Sequence, residues 1–165
     1  MNKFNTADLC DDYKLVVAKP IFKSYGSHTH CYGRIKTVEA IEDNSYVKKL
    51  LQEDGSGCVM VVDGKVSEKC ALVGDNLAAL WAENNWSGIV VNGCIRDSLE
   101  INNIGISIKA INLVPNKSEK KDVGKYNLDL NFAGVTFKEN QFIYSDPDGI
   151  VISSTEIILK WIIFF

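Results

Sequence analysis

Gly88-Ile-Val-Val-Asn-Gly-Cys-Ile-Arg-Asp-Ser-Leu-Glu100 is the stretch whose reading decides the fold class. Gly88–Val91 is a continuous apolar run, which suits a strand covered on both faces of a sheet. Asn92-Gly93 has the turn chemistry to close it, and Arg96 and Asp97 then open a short helix at about Asp97–Asn102. Upstream, Cys58–Val62 repeats the pattern and ends at Asp63-Gly64. Between the two runs, Asp75–Asn85 reads as a helix with Leu77, Leu80 and Trp81 on one face. Before them, Gly33–Ala40 alternates Ile35, Val38 and Ala40 with polar residues as a strand does. Asn44 then caps a helix through Gln52, with Val47, Leu50 and Leu51 on one face and Gly55 as its stop. A strand at Ile106–Ile111 follows. Helix and strand thus alternate from Asn44 to Ile111, which predicts a layered α/β sandwich.

The flanks differ in rhythm. Thr6 can cap a short helix from Ala7 to Tyr13. Val135–Phe137, Phe142–Tyr144 and Gly149–Ile152 read as antiparallel strands joined by turns at Glu139-Asn140 and Asp146-Pro147-Asp148-Gly149. No repeat and no linker interrupts the chain, so residues 1–165 are expected to form one domain.

Composition narrows the function. The chain has 165 residues, 46% hydrophobic and 24% charged, with a formal charge of −3. That is ordinary for a globular domain and argues against direct nucleic-acid binding, which needs a positive excess. The basic cluster Lys117 to Lys125, broken by Glu119 and Asp122, reads as a solvated loop. The five cysteines are scattered without C-x-x-C spacing, so they are expected to be reduced, in a cytoplasmic setting. Met1–Asp12 lacks the charge and apolar core of a signal peptide. Ile157–Phe165 is apolar but far short of the ~20 residues a membrane helix needs, so no membrane association is expected.

Few residues are left to carry chemistry. The two histidines, His28 and His30, share one loop with no partner ligands in their neighbourhood. Walker, G-x-S-x-G and G-x-G-x-x-G motifs are absent, which removes nucleotide chemistry, serine hydrolysis and a Rossmann-type methyltransferase. What remains is the pair Arg96-Asp97 at the carboxyl end of a predicted strand, where α/β folds gather ligands. Arg supplies a fixed cationic fork for a carboxylate or enolate oxygen, and Asp a hard oxygen for Mg²⁺ or Mn²⁺. Spacing alone leaves a structural salt bridge equally open.

Gly88–Glu100 resembles the strand-to-helix segment of the RraA-like family, which holds 4-hydroxy-4-methyl-2-oxoglutarate aldolases and a regulator of ribonuclease E. The aldolase branch carries D-x20-R-D, matched here by Asp75, Arg96 and Asp97. Thr6-Ala-Asp-Leu-Cys-Asp, Pro20-Ile-Phe, Ile41-Glu-Asp-Asn44, Val61-Val-Asp-Gly64, Asn131-Phe-Ala-Gly-Val-Thr136 and Tyr144-Ser-Asp-Pro-Asp-Gly-Ile150 resemble further family segments, so the likeness runs from Thr6 to Ser153. Two features depart from it: the short turn Val62-Asp-Gly-Lys65, Gly-rich in the family, and the apolar tail Ile157–Phe165.

The resemblance implies a homotrimer of swivelling β/α domains that cleaves a 2-oxo acid with a divalent cation, with oxaloacetate decarboxylation as a side activity. It implies that Asp97 binds the metal and that Arg96 stabilises the enolate. The N–H groups of Gly74, Asp75, Asn76 and Leu77 would receive the substrate carboxylate, and Asp75 would orient Arg96 or a proton-carrying water. The other branch implies a protein that binds and masks a ribonuclease. That branch lacks the full Asp/Arg-Asp set, so the set kept here favours the enzyme.

Overall fold

The computed structural model describes residues 4–158. In chain order these form α1 (Thr6–Asp12), β1 (Val16–Val17), β2 (Lys23–Tyr25), β3 (Cys31–Glu39), α2 (Ser45–Leu51), β4 (Cys58–Asp63), β5 (Ala71–Val73) and α3 (Asp75–Glu83). There follow β6 (Gly88–Ile95), α4 (Ser98–Ile101), β7 (Ile108–Leu113), β8 (Lys125–Tyr126), β9 (Leu130–Phe132), β10 (Val135–Phe137), β11 (Phe142–Ser145) and β12 (Ile150–Ser153). The expected α/β sandwich with an antiparallel C-terminal portion is what forms.

One mixed sheet runs β1-β12-β11-β3-β4-β6-β7-β2, with β5 beside β6 and β8 beside β3. Its centre, β3-β4-β6-β7, is parallel, because each strand returns through a helical crossover. These central strands are buried on both faces, as the continuous apolar runs predicted: every residue of β6 is buried. On one face, α2, α3 and α4 contribute Val47, Leu51, Leu77, Trp81 and Ile101 to a core with Met60, Val62, Ile89 and Val91. On the other, the β9–β10 hairpin brings Leu130, Val135 and Phe137 against Ile35, Val59, Val61 and Val90. Successive residues of one strand therefore feed opposite cores, as period 2 requires.

Several local expectations change in the structure. Asn92-Gly93 does not end β6; the strand continues to Ile95, pairing with β5 and, after an irregularity between Val91 and Cys94, with β7. Burial of Asn92, whose Nδ2 donates to Asp63 Oδ1 at 2.8 Å, removes the solvent that a turn would seek. Asn5, not Thr6, caps α1, its side chain accepting from Ala7 N. Thr6 instead donates its N–H and hydroxyl to the Asp146 carboxylate, both at 2.7 Å, which ties the front of the chain to the β11–β12 turn. Helix α2 ends before Gly55, and Gly55 serves another purpose: a Cβ there would lie 2.1 Å from the Trp86 ring. All five cysteines are free, as expected. The tail prediction lies largely outside the described residues, of which Ile157 is buried and Ile158 exposed. Among the described residues, no helix is long and apolar enough to cross a membrane.

Candidate active site

Strand β6 delivers Arg96 and Asp97 at its carboxyl end. The Arg96 N–H donates to Val73 O at 3.0 Å, which holds the exit of β6 against the end of β5. Asp97 then takes a left-handed conformation (φ 59°, ψ 41°) as the cap of α4. Few residues other than Gly tolerate this region, and Asp is one of them. The reversal turns the Asp97 side chain back toward the start of α3. There the Asp75 N–H donates to Asp97 Oδ2 at 3.2 Å, and Arg96 Nε sits 3.4 Å from the same oxygen. Gly74 makes this fit possible: a Cβ at residue 74 would lie 2.6 Å from Asp97 Oδ2.

The three residues of the spaced motif therefore meet, and the Arg96–Asp97 salt bridge that the spacing left open forms, whereas the orientation of Arg96 by Asp75, one of two roles the resemblance implied, does not. Arg96 pairs with Asp97, and no hydrogen bond or ion pair joins it to Asp75 among the described residues. The Asp75 carboxylate accepts from Asn76 N at 2.7 Å, in the first turn of α3 where a negative charge also suits the helix dipole. Two of the four N–H groups assigned to the substrate, those of Asp75 and Asn76, thus have partners within the protein. Glu100 is exposed.

Gly74, Asp75, Asn76, Leu77 and Arg96 all line one cleft of about 1140 Å³. Its opposite wall was not anticipated. Lys117, Ser118, Glu119 and Lys120, read from sequence as a solvated loop, line it, and Lys48 and Asn44 complete the rim. The loop is held rather than loose. Ala71 N donates to Asn116 O at 2.8 Å, Lys117 bridges to Ala71, and Ser118 is buried. Arg96 Nη1 reaches Pro115 O at 3.5 Å, so the guanidinium spans from one wall to the base of the other. The available signal was the split pattern of the lysine cluster, with a serine among cations, and it was too weak to place the segment.

Asp43 anchors this wall. It is buried, and its carboxylate accepts from Ser45 N (2.8 Å), Lys121 N (2.8 Å) and Val123 N (3.1 Å). Burial opposes its ionisation, but these hydrogen bonds outweigh burial and bring its pKa down from 3.8 to about 2. A depressed carboxyl adds stability that is complete above about pH 4 and is lost as pH falls through about 2. Asp43→Asn should therefore cost about 2 kcal/mol at neutral pH, from ~1.4 kcal/mol per pKa unit. The stability difference from the wild type should close between pH 4 and 2. Unfolding melts across that range check this, and a pH-independent difference would refute it.

Among the described residues no group of three or more His, Cys, Asp or Glu side chains could cage a metal. Asp97 offers a partly exposed carboxylate beside the cleft, against Asp75 N and Arg96 Nε. That suits Mg²⁺ or Mn²⁺, which bind through one or two carboxylates and keep waters and substrate oxygens as their other ligands. It does not suit a thiolate- or imidazole-seeking ion.

Comparison with known proteins is consistent with this geometry. The profile of the family described as "RraA-like: Aldolase/RraA" matches residues 6–152. A protein of Alkalilimnicola ehrlichii, provisionally named 4-hydroxy-4-methyl-2-oxoglutarate aldolase, is 45% identical over 93% of this chain and 96% of its own. A Bacillus cereus protein of the same provisional name is 45% identical over 91% and 96%. A Geobacillus kaustophilus crystal structure, titled as an S-adenosylmethionine:2-dimethylmenaquinone methyltransferase, superposes with a TM-score of 0.92 at 40% identity, covering 95% of this chain and 99% of that one. The RNA-processing inhibitor RraA of Thermus thermophilis superposes with a TM-score of 0.91 at 35% identity, covering 94% and 96%.

Proposed function

Since the chain belongs to the RraA-like family, we propose that it is a divalent-metal-dependent 4-hydroxy-4-methyl-2-oxoglutarate aldolase that also decarboxylates oxaloacetate. The observation that carries this is the convergence of Gly74, Asp75 and Arg96 on one cleft, with Asp97 held beside them by the Asp75 N–H and the Arg96 guanidinium. A ribonuclease-masking surface would not require it. The methyltransferase name borne by one structural relative is not supported here, because no G-x-G-x-x-G follows any strand.

The chemistry follows from the residues. Cleaving the C3–C4 bond of 4-hydroxy-4-methyl-2-oxoglutarate releases one pyruvate from C4, C5 and the methyl group, and leaves the enolate of a second. The C4 hydroxyl proton must be removed, and C3 must afterwards be protonated. Arg96 supplies a fixed positive charge for the developing enolate oxygen, a kind of stabilisation whose loss typically costs about 3 kcal/mol of barrier. Asp97 would hold the divalent ion, which supplies a Lewis acid at the ketone. The start of α3 would receive the adjacent carboxylate, and Asp75 would position the water that carries the proton. Oxaloacetate loses CO₂ from the same bond position and leaves the same enolate, so one site serves both reactions.

A homotrimer belongs to this proposal. Leu99, immediately after the Arg96–Asp97 segment, is 77% exposed, and Val16 and Val17 lie bare on the edge strand β1. Such residues suit cover by another subunit. The test is one preparation with two readouts. It should scatter light as a trimer at micromolar concentration. With Mg²⁺ or Mn²⁺ it should release two pyruvates per 4-hydroxy-4-methyl-2-oxoglutarate, counted with lactate dehydrogenase. No pyruvate release with either metal would refute the aldolase, and a monomeric mass would refute the trimer.

A further inference from the structure

The cleft holds three lysines that no carboxylate of the chain pairs with among the described residues. Its lining includes four cations, Lys48, Arg96, Lys117 and Lys120, against three carboxylates, Asp75, Glu83 and Glu119, in a chain whose net charge is −3. Arg96 is paired with Asp97, and Glu119 is taken by Lys121 at 2.8 Å. Lys48, Lys117 and Lys120 have no ion-pair partner among the described residues. Lys48 stands on α2, and of the two lysines in the 117–120 segment Lys117 is the one tied into the sheet, through its bridge to Ala71 and the Ala71–Asn116 hydrogen bond. Ser118 is buried next to it, and Asp43 holds the chain at Lys121 and Val123. A cation carried on such a pre-ordered wall loses less entropy on binding than one on a free loop.

The position of Lys117 relative to Arg96 is also constrained. Arg96 Nη1 lies at the Pro115 carbonyl, and two residues of chain span at most ~7 Å. The Lys117 backbone is therefore within about 7 Å of the carbonyl that Arg96 touches, and Lys117 lines the same cleft as the start of α3. We infer that Lys117, with Lys120 beside it, binds the substrate carboxylate farthest from the ketone, and so selects 2-oxo dicarboxylates whose second carboxylate survives the reaction. This rests on the aldolase reading and adds a residue that sets its substrate preference.

The two proposed reactions separate the idea cleanly. In 4-hydroxy-4-methyl-2-oxoglutarate the distal carboxylate, C5, stays a carboxylate in the product pyruvate, so a lysine can hold it from ground state to transition state. In oxaloacetate the distal carboxylate gives up the electron pair of its C–C bond and departs as neutral CO₂. A cation on that group stabilises the ground state and does nothing for the transition state. Lys117 should therefore help the aldol substrate and not the decarboxylation.

Steady-state kinetics on the metal-loaded full chain test this. In the double variant Lys117→Ala/Lys120→Ala, the ratio of kcat/KM for 4-hydroxy-4-methyl-2-oxoglutarate to that for oxaloacetate should fall at least tenfold. The fall should come from a higher KM for the aldol substrate, and Lys117→Arg on the Lys120→Ala background should restore part of it. Both lysines are exposed, so the variant should fold, which its circular dichroism and melt check. An unchanged ratio, or an equal fall for both substrates, overturns the lysine subsite and leaves the aldolase reading standing. A wild type that turns over neither substrate overturns the reading on which the subsite rests.

Discussion

Asp97→Asn should reduce metal-supported cleavage of both 2-oxo acids by roughly a thousandfold, because it removes the one carboxylate proposed to carry the ion. A metal acting as a Lewis acid contributes several kcal/mol to such a barrier, and about 1.4 kcal/mol is a factor of ten. Asn is the informative replacement. It tolerates the left-handed backbone that residue 97 adopts (φ 59°), and it keeps an oxygen that can accept from Asp75 N. The fold should therefore survive, and the loss should be one of charge alone. Mn²⁺ titration followed by electron paramagnetic resonance should show weakened binding in the same variant. Excess chelator should silence the wild type, and Mg²⁺ or Mn²⁺ should restore it. Full turnover by Asp97→Asn, or Mn²⁺ binding equal to the wild type's, would remove Asp97 from the metal site.

Arg96→Ala should cut oxaloacetate decarboxylation a hundredfold or more, since it takes a charge away from the developing enolate. The loss should appear mainly in kcat, because the interaction strengthens as charge develops on the oxygen. Arg96→Lys should recover little, a compact ammonium being unable to reproduce the planar fork that spans from Asp97 to Pro115. Stability should change little, because the Arg96–Asp97 pair is about one-third exposed and ion pairs of that kind contribute little. The variant also separates the aldolase from a ribonuclease-masking protein. A protein–protein patch would lie on the outer surface, so ribonuclease binding, where present, should persist in Arg96→Ala. Strong ribonuclease inhibition by a wild type that shows no decarboxylation with metal present would replace the enzyme with the regulator.

The two variants also divide the labour at the site. Gly74 and the turn at Asp97 make a seat in which one carboxylate oxygen meets both a helix N–H and a guanidinium. Removing the carboxylate should affect metal affinity and rate together, whereas removing the guanidinium should leave metal affinity in place. Measuring Mn²⁺ affinity on both tells the roles apart even if the two activities fall equally.

Much of this was legible without coordinates. The apolar runs Cys58–Val62 and Gly88–Val91 named the buried parallel strands, and the i, i+3, i+4 spacings of Val47-Leu50-Leu51 and Leu77-Leu80-Trp81 named the two helices that cover them. Such patterns are local, since each residue's exposure follows from the period of its own element. Arg96 and Asp97 were legible as a charged pair at a predicted strand end, a sequence-local signal, whereas Asp75 joined them only through the resemblance to the family's D-x20-R-D motif. Tertiary structure decided what depends on neighbours far away in the chain. That Asn92-Gly93 lies within a strand follows from burial between β4, β5 and β7, where a turn would leave its backbone groups unpaired. That Arg96 meets Asp97 and not Asp75 follows from one left-handed residue, whose φ no hydrophobic pattern encodes. That Lys117 to Lys120 form a cleft wall follows from an aspartate 78 residues before Lys121 accepting that residue's N–H. Periodicity reports which face of an element is buried, and only the packed sheet determines which loop faces it.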